Sequence, residues 1–382
     1  MTSVGHLRDG RVDPGRLDAL LARARQEVDQ GVLPSCQIAV AHHGELVALE
    51  TFGDASDSTR YVVFSSIKAF VAATVWALMG EGVLDVGSRV GDYVPEFATR
   101  GKEAVTVEHL LVHTAGFPHA ALGPPEWYTR KARLEEFGRW TLEWEPGTAY
   151  GYHPTSAHWV LAEIIERVSG TDFCDAVHRF VTEPAGLPRR VLGVRAEDQG
   201  DIATIEIRGR MANADELEEV LGVRELPRAE SAYEALLCLN VAEVRALGIP
   251  GGGGIMRADD LALFYQALLH NQGGIWDAGI LADATGTVRN RFADPLFGSP
   301  ANRTLGLVMA GDDGFGFIRG FGTATSPRAF GHGGAAGQIG WADPESGLSL
   351  AFATNGIDVN VIRQGRRGIE ISTLAGACVV RD

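Results

Sequence analysis

The sequence predicts an α+β protein: one antiparallel sheet built jointly by its N- and C-terminal segments and flanked by helices, plus a mainly helical lobe between them. Three observations predict this. Short apolar runs punctuated by glycine and proline turns occur near both ends, in "CQIAVAHHGELVALETFG" and "RAFGHGGAAGQIGWADPESGLSLAFATNG". The stretch between them carries helical spacing broken by turn signals. Finally, 382 residues at 45% hydrophobic content can bury a core large enough for two lobes. The predicted division is 1–82 with 246–382 for the sheet lobe and 83–245 for the helical lobe, the latter with a variable surface excursion near 197–232.

In chain order, "PGRLDALLARARQEVDQG" has apolar residues at helical spacing and Gly31 to stop it, which predicts a first helix over about 14–30. A hairpin follows around "HHGE", with Gly44 in the turn. The run "SSIKAFVAATVWALMGEG" predicts a helix from about Ser65 to Gly82. From there to about 245 the pattern is helical, with turns at "GFPHAALGPPEW", "EWEPGT" and "EPAGLPRR". The acidic, weakly periodic segment from Ala196 to Ser231 is read as a surface excursion and a lid candidate. "GIPGGGGIMRADDLALFYQALLHNQGG" is a glycine turn followed by an amphipathic helix starting at Asp259 or Asp260. Three short strands and a closing helix or mixed segment complete the chain.

Composition excludes several functions. A net charge of −15 and a pI near 5.2 repel phosphates, so neither nucleic acid nor an anionic membrane surface is an expected partner. No uncharged apolar stretch of about 18 residues occurs and the N-terminus has no signal-peptide core, so a cytoplasmic location is expected. Cys36, Cys174, Cys238 and Cys378 are widely spaced, which predicts reduced, mostly buried thiols. His109 and His113 have a spacing that can bind zinc, but no glutamate lies between them, and a structural helix end is the expected role. "GGGG" and "GHGGAAG" lack a following G-K-[ST], and no GxSxG elbow is present. Trp144 and "GPPEWY" either line a pocket or pack.

The chemistry concentrates at Ser65 and Lys68. Only three lysines, Lys68, Lys102 and Lys131, stand among the 34 basic residues, so an amine at 68 is a selected feature. Three residues apart on a helix, Ser65 and Lys68 share a face. A serine hydroxyl becomes a useful nucleophile when a base takes its proton, and lysine is such a base when burial keeps it neutral. Arginine cannot do this. Ser66 is the competing nucleophile, but two residues from Lys68 it points to another face.

Around this S-x-x-K lie "LMGEGVLDVGSRVGDYVPEF" and "VTVEHLLVHTAGFP", then "WEPGTAYGYHPTSAHWVLAEIIERVSG", "GIPGGGGIMRADDLALFYQALL" and "FGHGGAAGQIGWADPESGLSLAFATNG". In that order these blocks resemble the serine β-lactamase and penicillin-binding-protein superfamily, in its class C and family VIII esterase branch. The resemblance covers most of the chain outside about 190–240 and implies a class C β-lactamase-like fold. It implies that Tyr152 passes protons between nucleophile and leaving group, with Tyr150 as the alternative tyrosine. An ammonium beside a phenol favours phenolate, and Lys68 supplies such a neighbour. It implies that His332, Gly333 and Gly334 stand at the family's K-T-G strand motif, with His332 as a substrate-orienting group, and that the Ala335 N–H joins that of Ser65 in an oxyanion hole. Two departures bear on substrate. Pro154 stands where the family's β-lactamases carry asparagine, and His332 where they carry lysine. Both favour plain esters over β-lactams, because an amide donor and a permanent cation are missing.

The favoured reading is a serine hydrolase of short-acyl carboxylic esters acting through an acyl-enzyme on Ser65, with Lys68 and Tyr152 sharing the proton work and no metal or cofactor required. A small-molecule ester is the expected partner, and the sequence leaves the oligomeric state open. The alternatives are an acyltransferase using the same acyl-enzyme and a penicillin-binding-like module without turnover.

Overall fold

In a computed structural model of the protein, which describes residues 12–187, 189–225 and 230–380, helix α1 (Pro14–Asp29) begins at Asp13. That carboxylate accepts the Arg16 N–H, and Pro14 occupies the first turn, where its missing donor costs nothing. The hairpin of β1 (Ser35–His42) and β2 (Glu45–Gly53) turns at His43 and Gly44, both at positive φ, as a two-residue turn requires. β3 (Tyr61–Phe64) then leads into one 3₁₀ turn, Ser65–Ile67, and helix α2 (Lys68–Gly80). The predicted helix thus opens as a tighter turn. It closes two residues early, because Gly82 takes a left-handed φ of 71°.

The middle of the chain is helical, as α3 (Val90–Tyr93), α4 (Val107–Leu111), α5 (Arg130–Arg139), α6 (Ser156–Ser169) and α7 (Phe173–Val177). Beyond it come a short strand β4 (Glu206–Arg208) and helices α8 (Ala214–Leu221), α9 (Glu230–Glu234) and α10 (Ala242–Leu247). The final third supplies β5 (Gly254–Met256), α11 (Ala258–His270), α12 (Ala278–Gly286), β6 (Val308–Met309), β7 (Phe330–Gly333), β8 (Ile339–Asp343), β9 (Leu348–Thr354), β10 (Gly356–Asp358) and α13 (Val361–Gly376). Helix α11 begins just ahead of the two predicted start residues, with the Asp260 carboxylate accepting the Arg257 N–H. The C-terminal segment resolves as a helix.

Six strands form one antiparallel sheet in the order β2-β1-β9-β8-β7-β6. Its strands come only from the two ends of the chain, as the fold-class prediction requires. Side chains alternate between its faces. Ile38, Val40, Trp341, Leu350 and Phe352 join one core with residues of α1 and α13, while Ala39, Ala41, Ala342 and Ala351 join the other with α2 and α11. The small side chains on the second face let helices come close. At Gly340 an added Cβ would lie 2.6 Å from the Tyr265 ring and 2.8 Å from Leu261 of α11.

Two further pairings were not legible in the sequence: β3 with β5, antiparallel, and β10 with β4, parallel. Strands of three or four residues carry no measurable period. The second pairing also changes the reading of the excursion. Arg60, 4% exposed, forms an ion pair with Asp201 at 2.6 Å, Asn240 bonds both the N–H and the carbonyl of Ile205, and Asn355 donates to the Thr204 carbonyl. Residues 201–208 are therefore stitched into the fold by polar contacts that no hydrophobic pattern advertises. The α8 region stands out, with Leu217 its one buried residue. The predicted segment at 226–229 lies outside the described residues.

The cysteines are free thiols, three of them buried. Among the described residues no helix is long and apolar enough to cross a membrane.

Candidate active site

Ser65 sits where β3 ends, immediately after Phe64, whose φ of 45° and ψ of −129° are strained for a residue with a side chain. Phe64 is held there by burial, at 3% exposure. The turn presents Ser65 half-buried at the head of α2, and one helical turn on it brings Lys68 alongside.

Lys68 is fully buried, and its Nζ has three oxygens around it: Ser65 Oγ at 3.1 Å, the Pro154 carbonyl at 2.7 Å and the Gly251 carbonyl at shorter range. Gly251 has to be glycine. A Cβ there would stand 2.7 Å from the Pro154 carbonyl oxygen and 3.4 Å from Nζ itself, inside the pocket that holds the amine. Burial, reinforced by the Arg303 cation, holds the amine well below its usual value of 10.5. Ser66 takes a different course: its hydroxyl donates to the His332 carbonyl at 3.2 Å and joins the helix start to β7.

The two tyrosines have separate surroundings. Tyr152 is half-buried, with Lys68 Nζ 5.2 Å from its ring centroid and the His113 ring at 4.7 Å. Tyr150 is buried, and its hydroxyl accepts a hydrogen bond from Arg303 at 3.1 Å. Burial raises its pKa, against a smaller lowering by Arg303. Gly151 between them lets Trp144 lie against the chain, since a Cβ would meet that ring at 2.5 Å. Trp144 packs here. His109 Nδ1 accepts the Thr106 N–H at the start of α4, and His113 Nδ1 accepts the His153 N–H, so each ring supports a backbone turn.

His332, 5% exposed, lies on β7 with Nδ1 2.6 Å from the Gly333 carbonyl and Nε2 3.2 Å from Arg303 Nη1. A carbonyl only accepts, so the imidazole proton is on Nδ1 and Nε2 presents a lone pair to the guanidinium. Burial, then Arg303 and Lys68, push the ring's pKa well below 6.5 and keep it neutral. Gly333 is exposed beside it. Gly334 passes so close to β3 that a Cβ would lie 2.3 Å from the Val63 carbonyl oxygen, which brings the turn at Ala335 alongside the strand that ends at Ser65.

Arg303 was not singled out by the sequence, and it corrects one expectation. The strand motif has lost its lysine, yet a guanidinium at 9% exposure reaches His332 from a distant loop, so a permanent cation does adjoin the site. An arginine outside every catalytic block, among 34 basic residues, gives no signal.

The comparisons agree with this architecture. The Beta-lactamase family profile matches residues 20–372. A protein of Escherichia coli (strain K12) provisionally named a D-alanyl-D-alanine carboxypeptidase is 25% identical over 378 residues, covering 89% of this chain and 82% of its own length. A penicillin-binding protein homolog from Caulobacter crescentus superposes with a TM-score of 0.74 at 26% identity, covering 95% of this chain and 98% of that one. A family VIII carboxylesterase superposes equally, with a TM-score of 0.74 at 26% identity and the same coverage.

Proposed function

The chain belongs to the Beta-lactamase family, and on that footing we propose that it is a serine hydrolase that cleaves short-acyl carboxylic esters through an acyl-enzyme on Ser65. The observation that carries this is the set of contacts at Lys68. Two of its three partners are carbonyls, which only accept. In the resting arrangement Nζ donates to Ser65 Oγ and the Ser65 hydroxyl donates to the Gly251 carbonyl at 3.4 Å; a neutral amine keeps two N–H groups on the carbonyls and turns its lone pair to the Ser65 hydroxyl once that hydroxyl rotates toward it.

As Ser65 Oγ bonds to the ester carbon, its proton passes to Lys68. The carbonyl oxygen becomes an oxyanion held by the N–H groups of Ser65 and Ala335, where each donor contributes a few kcal/mol, on the order of 3. Collapse expels the alkoxide, which takes a proton from the Tyr152 hydroxyl, and the Lys68 ammonium restores that proton. Water then attacks the acyl-enzyme, its proton leaves through Tyr152 and Lys68, and the acid departs with Ser65 regenerated. The likeness to a family VIII carboxylesterase supports the ester as substrate. The name of the Escherichia coli relative favours a second reading, a peptide as acyl donor through the same intermediate.

Intact-mass measurement after mixing with an activated aryl ester or an organophosphonate tests the reading. The expected result is one covalent adduct on Ser65, absent from Ser65→Ala. A folded wild-type protein that gains no mass would overturn it in favour of a non-turnover binding module. Parallel assays with an aryl acetate and a D-alanyl-D-alanine peptide separate the two acyl donors.

A further inference from the structure

Helix α4 ends in a turn where the Thr114 N–H bonds the His109 carbonyl at 3.0 Å and the His113 N–H bonds the Leu110 carbonyl at 3.4 Å. Such a turn places the first residue past the cap at positive φ, where glycine is the usual occupant because a Cβ strains the backbone. Here that residue is His113, at φ 61° and 1% exposed. It belongs to "VTVEHLLVHTAGFP", a block the proposed mechanism leaves unused. An imidazole kept in a glycine conformation points to a role for its ring.

What His113 touches surrounds Tyr152. Its carbonyl accepts the Gly151 N–H at 3.2 Å and its Nδ1 accepts the His153 N–H at 3.2 Å, so one residue holds the amides on both sides of that tyrosine. Its ring centroid lies 4.7 Å from the Tyr152 ring, while Lys68 Nζ lies 5.2 Å from the same ring. One residue further, the Pro154 carbonyl accepts from Lys68 Nζ at 2.7 Å. His153 completes the brace, donating from Nδ1 to the Gly151 carbonyl and accepting the Phe117 N–H at Nε2. The bond at His113 Nδ1 requires a neutral ring with its proton on Nε2. Burial first, then Arg303, His153, His158 and Lys68, hold its pKa well below 6.5 and keep that lone pair in place.

We propose that His113 is a positioning residue that holds Tyr152 in register with Lys68 and so sets the rate of proton exchange between them. The inference rests on the ester-hydrolase reading, in which Tyr152 and Lys68 share the proton work, and adds a residue that acts through Tyr152. A displacement of about 1 Å at a reacting group can cost about 10²-fold in rate. Two hydrogen bonds and one ring contact from His113 limit that drift.

The test is a double-mutant cycle on single-turnover hydrolysis of phenyl acetate. His113→Gly relieves the backbone strain and removes the ring, whereas His113→Asn keeps an acceptor near the place of Nδ1 and tolerates positive φ. Each is made in wild type and in Tyr152→Phe. His113→Gly should lower the rate by about tenfold or more, through kcat and not KM in the steady state, and His113→Asn should recover part of the loss. In Tyr152→Phe either change should move the rate by less than about twofold. Equal losses in the two backgrounds mean a general structural role and overturn the proposal, as does a folded His113→Gly at the wild-type rate. Should His113→Gly fail to fold, His113→Asn decides: a loss of about threefold or more that vanishes in Tyr152→Phe supports the proposal, and any other pattern overturns it. If wild type hydrolyses no ester, or Tyr152→Phe is as fast as wild type, the earlier reading falls by itself and amide hydrogen exchange decides this one. The His153 amide should exchange about tenfold or more faster in His113→Gly than in wild type or His113→Asn, with the amides of α11 unchanged, and equal rates overturn the proposal.

Discussion

Lys68 is the residue on which the proposed chemistry turns, and its two possible jobs give opposite predictions for one substitution. Lys68→Arg keeps the charge and most of the length but cannot become neutral. As a base replacement it should lower single-turnover acylation by an aryl ester by about 10²–10³-fold, with circular dichroism unchanged. A folded variant acylating within about tenfold of wild type would move the base to Tyr152. The pH profile gives a second check. Only the unprotonated amine accepts a proton, and burial holds its pKa well below 10.5. Acylation should therefore fall on the acid side and level off well before that value, while a rate still climbing there would exclude Lys68. Ser66→Ala separates the neighbouring serine, since losing its bond to the His332 carbonyl should cost stability, about 1–3 kcal/mol in denaturant titration, and leave the phosphonate adduct on Ser65 intact. At this scale the contact between Ser65 and Lys68 was legible because a spacing of three residues puts both on one helix face. The carbonyls of Pro154 and Gly251 were not, since they lie 86 and 183 residues from Lys68 and a main-chain oxygen has no sequence signature. Arg303 was invisible because it lies outside every motif block and is one of 34 basic residues.

Among the elements, the contact between β3 and the end of β7 does most to shape the site. It depends on Gly334, where any Cβ would intrude on the Val63 carbonyl. Gly334→Ala should push the Ala335 N–H away from Ser65 and reduce acylation by about 10²-fold, on the scale of losing one oxyanion donor. Ester kinetics on a variant with wild-type circular dichroism check this, and activity within a few-fold of wild type would remove Ala335 from the oxyanion hole. The long elements were readable because period and turn residues agree over seven to sixteen residues, as in α1, β1 and β9. The short β3–β5 and β4–β10 ladders were not. Their existence is decided by what packs over them.

Taken whole, the described residues set a closely packed body against a poorly buried helix, α8. Replacing residues 212–222 with a short glycine-serine linker removes α8, which buries only Leu217, and should leave phosphonate acylation within about threefold while altering KM for larger esters. Loss of all acylation in a folded protein would make α8 part of the catalytic architecture. Cutting back to residue 201 is a different matter, because the Arg60–Asp201 pair and the β4 ladder are then lost, and unfolding is expected by thermal denaturation.

The junction of β1 with β9 sets a timetable for synthesis. The Ser35 carbonyl accepts a bond from Thr354 Oγ1, 319 residues further along the chain. At a translation rate of about 5–20 residues per second, the first hairpin waits roughly 15–60 seconds for its neighbour, exposing an unpaired edge. Ser65 and Lys68 leave the ribosome early in that interval, but the Gly334–Ala335 turn arrives only near its end. A growing polypeptide thus carries the proposed nucleophile for most of its production without the proposed oxyanion donor at Ala335. Ribosome-bound chains arrested at residue 300 should resist a phosphonate that labels the released protein, and labelling of the arrested chains would show that the early segments assemble a reactive serine unaided.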